Sequence, residues 1–252
     1  MSRSECEERM DRVVLLPPLP ATERETATVL FTHLTMTGDK PCKRELGMGG
    51  EPLYNRARGR AVIGGGKWAC LDPGLSLAGL DCLVVSSRPP QDVSFDKAAA
   101  QFGCEVRSHG PDRPPPQRRV YHRTSPLSLE LDQLPGNQHR PISLLALELD
   151  AAALARFLER PPEALARRVE QLTVRLNLTA VLVPDGRSGK LQDAARKLRR
   201  RLYTGLLGLQ ERGFHLFSAT AVENSNGQDV TVAGVAEAVP SLTEVAWMKV
   251  LC

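Results

Sequence analysis

The chain has 252 residues, of which 42% are hydrophobic and 25% charged, which is enough for one α/β domain of ordinary size. A formal net charge of +4 and a pI near 8.8 allow weak attraction to polyanions but do not establish a nucleic-acid partner. No apolar run is long enough for a membrane span, and the charged amino terminus does not have the pattern of a cleavable signal. We therefore expect an intracellular, cytoplasmic protein, with a secreted or membrane-anchored form as the alternative if the amino terminus is truncated.

The six cysteines are scattered and include no CxxC pair, so they lack the spacing of a zinc site or a redox motif. We predict buried thiols and no metal site. The cysteines are Cys6, Cys42, Cys70, Cys82, Cys104 and Cys252.

The first 27 residues predict a weakly ordered arm, because they are charged and contain the proline cluster Leu16–Pro20. A single domain is expected over residues 28–252, with a short helix near Thr26–Met36 at its edge. The run Gly64–Lys67 lacks the spacing of a phosphate-binding Walker loop and predicts a tight turn instead.

The organising stretch is one strand, one loop, one helix and a second strand. Leu80–Val85 is an apolar run of strand length, and Ser86–Asp92 is the loop that follows it. In an open parallel sheet, a loop at the carboxyl end of such a strand is where a nucleotide-like ligand binds.

The helix of this unit is predicted from apolar residues at helical spacing between Phe95 and Phe102. Ser94 is placed to cap its start and Gly103 to end it. The second strand begins at Cys104, and the unit is therefore β-loop-α-β.

The remaining chain alternates in the same way, which predicts a mainly parallel sheet with helices on both faces. Further strands are expected near Val120, Ile142, Val169, Phe214 and Val245, and helices over Ala151–Glu159 and Gly189–Arg212.

The helix over Gly189–Arg212 has a leucine stripe that we expect to pack on the sheet and an arginine-rich face that we expect in solvent. The alternative is that this basic face contacts RNA, DNA or acidic lipid. Asn177-Leu178-Thr179 is a formal glycosylation sequon, which we discount because it lies at a predicted strand end in a chain without a visible signal.

The scaffold resembles the methyltransferase-like protein 24 family, whose members bind S-adenosylmethionine. The matching segments are Trp68–Asp72, Cys82–Ser86, Asp92–Asp96 and Phe102–Val106, with the closing strands around Phe214 and Trp247. The resemblance implies a Rossmann-like class I methyltransferase fold, a three-layer sandwich whose mainly parallel seven-stranded sheet ends in an antiparallel hairpin.

The polar positions of the resemblance are altered. Where the family has a glycine-rich loop this chain has Ser87–Pro90, and where the family has the acid that grips the ribose it has Gly110. Glycine lets the backbone approach a ligand closely, whereas proline removes N–H donors. In the fifth strand, Arg175 and Asn177 stand at the family's glutamate and histidine.

We therefore expect S-adenosylmethionine to bind weakly or not at all, and the protein to be weakly active or non-catalytic. The alternatives are an active methyltransferase and a basic RNA-associated protein. The sequence identifies neither a substrate nor a protein partner, and we assign no catalytic residue. The residues expected at any cofactor site are Ser86, Ser87, Asp92, Asp112, Glu148 and Asp150.

Overall fold

A computed structural model describes residues 11–35, 41–55, 60–64, 66–79, 81–87, 93–110, 119–123, 140–183, 189–222, 229–232, 235 and 238–250. Its strands are β1 Glu45–Met48, β2 Glu51–Asn55, β3 Arg60–Gly64, β4 Lys67–Cys70, β5 Leu83–Ser87, β6 Glu105–His109, β7 Val120–Arg123, β8 Leu144–Asp150, β9 Gln171–Asn177, β10 Phe214–Ala221 and β11 Leu242–Lys249. Its helices are α1 Glu23–Thr35, α2 Ser94–Phe102, α3 Ala151–Glu159, α4 Glu163–Arg168 and α5 Gly189–Glu211.

A seven-stranded sheet in the order β10-β11-β9-β8-β5-β6-β7 forms the centre of the molecule. β5 is parallel to β6 and β8, and the next strands outward, β7 and β9, keep that direction. β11 is antiparallel to both β9 and β10. The mainly parallel seven-stranded sheet with its closing antiparallel hairpin confirms the prediction of a Rossmann-like α/β fold.

The two faces of the sheet have separate cores, because successive side chains of a strand point to opposite faces. In β8, Leu145 and Leu147 belong to the large core beneath α1, α3 and α5. Leu144 and Ala146 belong to the second core beneath α2 and β4. Helices thus lie on both faces, as predicted, and β1 and β4 pair antiparallel and cover part of the second face.

The chain before residue 28 makes specific contacts from Leu16 onward. Leu16 is buried in the large core, and its backbone N–H donates to Gln210 on α5 at 2.8 Å. The Tyr203 hydroxyl donates to the Pro17 carbonyl at 2.8 Å. The domain boundary expected at residue 28 remains a prediction, but this part of the arm is held against α5.

The prediction of buried thiols is wrong for four of the cysteines, which form two disulfides. Cys42–Cys70 ties the segment before β1 to β4, and Cys82–Cys104 ties the start of β5 to the start of β6. Spacings of 28 and 22 residues match no local motif, so only the fold brings the pairs together. Cys6 and Cys252 lie outside the described residues.

Two local predictions around the organising unit also need correction. The first strand begins at Leu83 rather than Leu80, which lies outside the described residues. Ser94 is the first residue of α2 and does not cap it. Its hydroxyl accepts instead from the backbone N–H of Gly50 at 3.0 Å. Gly103 does end the helix, with a φ of 116°.

The arginine face of α5 is only partly in solvent, which corrects the expectation for Arg199. Arg199 is buried because α1 packs against this side of α5. Its guanidinium donates to Glu23 at 2.5 Å and to the Val181 carbonyl at 2.7 Å. Leu202, Leu206 and Leu209 are buried as predicted, whereas Leu191 is exposed.

None of the helices in the described part of the chain combines the length and apolarity needed to cross a bilayer.

Candidate functional site

The carboxyl ends of β5, β6 and β8 meet at one edge of the sheet, which is where a doubly wound fold binds a nucleotide-like ligand. Ser86 and Ser87 are the last residues of β5, and they pair with Ser108 and His109 of β6. Asp150 ends β8. The fold therefore brings Ser86, Ser87 and Asp150 to the expected edge, while Asp92 and Asp112 lie outside the described residues.

A buried carboxylate on α2 engages both strands at this edge. Asp96 is 2% exposed, and it accepts hydrogen bonds from the Ser86 and Ser108 hydroxyls at 2.5 Å each. Charge-assisted hydrogen bonds of this length are among the stronger ones in proteins. They fix α2 to β5 and β6, so Ser86 already has a partner within the protein.

Sequence reasoning missed Asp96 as a site residue, although the residue lies in the matched segment. The available signal was its position three residues before the buried Ala99, because residues spaced by three share one face of a helix. An acid on an apolar helix face needs a partner, and the two strand-end serines supply it.

The first turn of α2 is covered by the turn between β1 and β2. Gly49 has a φ of +70°, and a Cβ placed there would lie 2.5 Å from both the backbone N and the Cα of Phe95. Gly50 donates to Ser94 in the same turn. A helix amino terminus can hold an anionic group through its free N–H groups, but here the protein's own backbone occupies that approach.

Four charged side chains form a buried cluster farther along the sheet. Glu148 of β8, Arg175 of β9 and Glu244 of β11 are in register on three neighbouring strands. Lys67 of β4 lies over them, with its Nζ 3.4 Å from Glu148 Oε1 and 3.2 Å from Glu244 Oε2. Two carboxylates and two cations thus balance in charge.

Arg175 completes the cluster, with its Nη1 3.5 Å from Glu148 Oε1 and its Nε 3.6 Å from Glu244 Oε2. The Thr173 hydroxyl donates to Glu244 Oε1 at 3.0 Å. Burial raises the pKa of Glu244, although Lys67 and Arg175 oppose the shift.

Glu148 is the part of the cluster nearest to solvent, with 20% of its side chain exposed, against 3% for Lys67 and Glu244. Because Glu148 contacts two cations, it is suited to fixing β4 over the sheet and poorly suited to acting as a general base. Gln171 anchors the same strand, since its side-chain amide exchanges two hydrogen bonds with the Cys70 backbone at 2.7 and 2.9 Å.

Asp150, another of the predicted site residues at this edge, bonds to the backbone. Asp150 caps α3 by accepting from the Ala153 N–H at 2.7 Å. Gly110 follows β6 and supplies no side chain where the resemblance places an acid.

A cysteine–acid group elsewhere has the proximity of metal ligands. The sulfurs of Cys42 and Cys70 lie within 4.8 Å of an Asp72 oxygen. The two sulfurs form a disulfide, whereas the thiolate is the form that binds metal. Asp72 accepts instead from the backbone N–H groups of Lys43 and Arg44.

A cavity of about 390 Å³ lies beside α1 and α5, on the face of the sheet that carries the large core. Of the residues predicted for the cofactor site, none that the structure describes lines it. The lining residues include Arg24, Arg196 and Arg199, and Glu23 pairs with Arg199. Its described lining includes no residue of β5, β6 or β8, so the cavity does not match the ligand position of a doubly wound sheet.

No protein-family model matches the sequence, and a search of curated proteins found no match. Among solved structures, a candidate tRNA (m1A22) methyltransferase from Streptococcus pneumoniae is 14% identical with a TM-score of 0.36. The match covers 67% of this chain and 64% of that protein, so the chain spans less than two thirds of its length.

Two further structures are similar. A candidate S-adenosylmethionine-dependent methyltransferase from Listeria monocytogenes is 11% identical with a TM-score of 0.42, over 68% of this chain and 92% of its own. Geranyl diphosphate C-methyltransferase from Streptomyces coelicolor A3(2), solved with S-adenosyl-L-homocysteine, is 12% identical with a TM-score of 0.39. This match covers 91% of this chain and 100% of that one. Because each TM-score is under 0.5, the fold rests on the strand order and directions of this chain.

Proposed function

We propose that this chain is a methyltransferase-like protein that binds S-adenosylmethionine weakly or not at all and that uses the fold for binding or assembly rather than for methyl transfer. The observation that carries the proposal is the Asp96 carboxylate, which joins the Ser86 and Ser108 hydroxyls across the carboxyl ends of β5 and β6. A ligand at this edge would have to compete with two short internal hydrogen bonds.

The covered start of α2 supports the same conclusion. The close approach of Gly49 to the Phe95 backbone leaves no room for even a methyl group. A charged ligand group would therefore have to displace the turn between β1 and β2 to reach the helix N–H groups.

The sequence at the carboxyl edge of the sheet independently supports weak binding of S-adenosylmethionine. Pro89 and Pro90 lack N–H donors, and Gly110 lacks the carboxylate that would bind the ribose hydroxyls. A lost hydrogen bond to a charged group costs about 1.5–3 kcal/mol, or roughly ten- to hundredfold in affinity.

An active methyltransferase is the second candidate, and one observation favours it. Glu148 reaches solvent from a buried charge cluster in which the pKa of Glu244 is raised, and displaced pKa values concentrate at functional sites. Methyl-transfer activity that Glu148→Gln abolishes without loss of folding would support this candidate.

Restoring the altered positions tests the proposal. The variant Arg88→Gly, Pro90→Gly, Gly110→Asp should bind radiolabelled S-adenosylmethionine in equilibrium dialysis at least about tenfold more tightly than the unmodified chain, because it regains bare backbone and the ribose carboxylate. The matched control carries Gly110→Asn in the same background, which has similar size but no charge. Equal affinity in all three proteins would contradict the assignment of the loss to these positions.

A further inference from the structure

Asn177 is an exposed residue at the carboxyl end of β9, and the sequon Asn177-Leu178-Thr179 lies in the turn that follows. Leu178 is fully buried and anchors this turn, since its carbonyl accepts the N–H groups of Val181 and Leu182. Asn177 and Thr179 both face outward. The strand-end position that discounted the sequon in the sequence is therefore a surface turn in the folded protein.

The conformation of the sequon leaves the acceptor nitrogen available. Asn177 Oδ1 accepts from the Thr179 N–H at 2.9 Å, which uses the amide oxygen. A substituent on Nδ2 would point away from this bond and would leave Leu178 in the core.

The two disulfides supply a second, independent observation. Disulfides form and persist in oxidising compartments and are rare in the reducing cytosol. Cys70, Cys82 and Cys104, three of the four paired cysteines, are at most 2% exposed, so both bridges are integral to the packed domain. Asn-X-Ser/Thr sequons receive glycans in the same compartments.

We propose that the chain matures in an oxidising secretory compartment and carries an N-linked glycan on Asn177. This inference does not rest on the absence of methyl transfer. It replaces the cytoplasmic expectation, which was based on the lack of a long apolar run and on the charged amino terminus.

The chemistry has two steps. Each disulfide forms by thiol–disulfide exchange with a disulfide-bearing oxidant, which takes two electrons and two protons from a cysteine pair. In glycan transfer, Asn177 Nδ2 gives one proton to a base of the transferring enzyme and bonds to the first sugar carbon of an oligosaccharide donor. The bond from that carbon to the donor's lipid-linked diphosphate breaks, and the diphosphate leaves with the electron pair.

The position of the glycan has a consequence for the sheet edge. Asn177 pairs with Asp150 of β8 and Leu242 of β11, so a glycan there would stand beside the carboxyl ends of the central strands. It would obstruct approach of a large substrate from that side.

Digestion with peptide N-glycosidase tests the glycan on protein isolated from the cells that make it, and on variants expressed from the complete gene in the same cells. The unmodified protein should show one mobility shift, because the sequence contains a single sequon. Asn177→Gln and Thr179→Ala should abolish the shift. Thr179→Ser is the matched control, since it preserves the sequon and should retain the shift. No shift in the unmodified protein, or one that persists in Asn177→Gln, would overturn the site.

Alkylation of the denatured protein before and after reduction tests the compartment separately. Cys42, Cys70, Cys82 and Cys104 should react only after reduction, as located by peptide mass spectrometry. Reaction of these four without reductant would overturn oxidative maturation, even if the protein folds.

Discussion

Lys67 is the residue on which the buried charge cluster depends. Its ammonium group lies within 3.4 Å of Glu148 and Glu244, so its removal leaves two carboxylates facing a single guanidinium. The residue also connects β4 to β8 and β11, which are separated from it by 81 and 177 residues in the chain.

Lys67→Met should therefore destabilise the protein by about 3–5 kcal/mol, the usual cost of breaking a buried ion pair from one side. Urea denaturation at pH 7 measures the free energy of unfolding. Lys97→Met is the matched control on the exposed side of α2 and should change it by less than about 0.5 kcal/mol. Equal losses of unfolding free energy in Lys67→Met and Lys97→Met would contradict the structural role of the cluster.

His33 provides a prediction about pH. It is buried in α1, and burial lowers its pKa from 6.5 to about 4. As the pH falls below 6.5, the unfolded chain takes up the proton first, so folding stability decreases until the pH approaches 4. The total loss from this residue is about 3 kcal/mol.

In His33→Gln this component of the pH dependence should disappear, because glutamine does not titrate. The measurement is the free energy of unfolding from denaturant titrations between pH 7 and pH 4 in both proteins. Parallel curves for the two proteins would show that His33 is not buried in its neutral form.

At the scale of elements, α5 shows how one helix combines a predicted and an unpredicted face. Leu202→Ala should cost about 2–5 kcal/mol, because Leu202 is fully buried. Arg199→Ala should cost about 1–3 kcal/mol, since it removes the bonds to Glu23 and Val181. Leu191→Ala and Arg200→Ala are controls on exposed positions.

Thermal or urea unfolding of these four variants separates the two faces. The controls should stay within about 0.5 kcal/mol of the unmodified protein. A cost for Arg199→Ala as small as that for Arg200→Ala would mean that α1 does not dock on α5 as described.

The turn over α2 can be tested by adding a single methyl group. Gly49→Ala should destabilise by about 2–4 kcal/mol, because it combines a positive φ with a collision against the Phe95 backbone. Gly213→Ala isolates the first effect, since Gly213 has a φ of +83° with nothing near its Cβ position. If urea unfolding shows similar losses of stability for Gly49→Ala and Gly213→Ala, the close contact of the turn with α2 is contradicted.

At the scale of the whole molecule, local patterns in the sequence were sufficient for the architecture. The apolar strand after Cys82, the helix ended by Gly103 and the strand after Cys104 predict a parallel unit, and the handedness of such crossovers limits the topology. Helices α3 and α5 begin where their patterns predict, at Ala151 and Gly189.

Only the place of the candidate site in the fold could be predicted from the sequence. Ser86 and Ser87 reach the expected edge because strand ends follow from apolar runs. The bond of Asp96 to Ser86 could not be predicted, because it depends on how α2 docks. The cluster of Lys67 with Glu244 joins residues 177 apart in the chain, and no periodicity reports such a pair. The disulfide partners could not be predicted either, because they are also far apart in the chain and follow no local pattern.

The central claim is that the cofactor edge is closed to S-adenosylmethionine. Isothermal titration calorimetry of the unmodified protein with this ligand, and with S-adenosyl-L-homocysteine, tests it most directly. We predict no heat of binding, or a dissociation constant near the millimolar range, about −4 kcal/mol. A micromolar constant with one site per chain would contradict the claim and would make methyl transfer the better account of this protein.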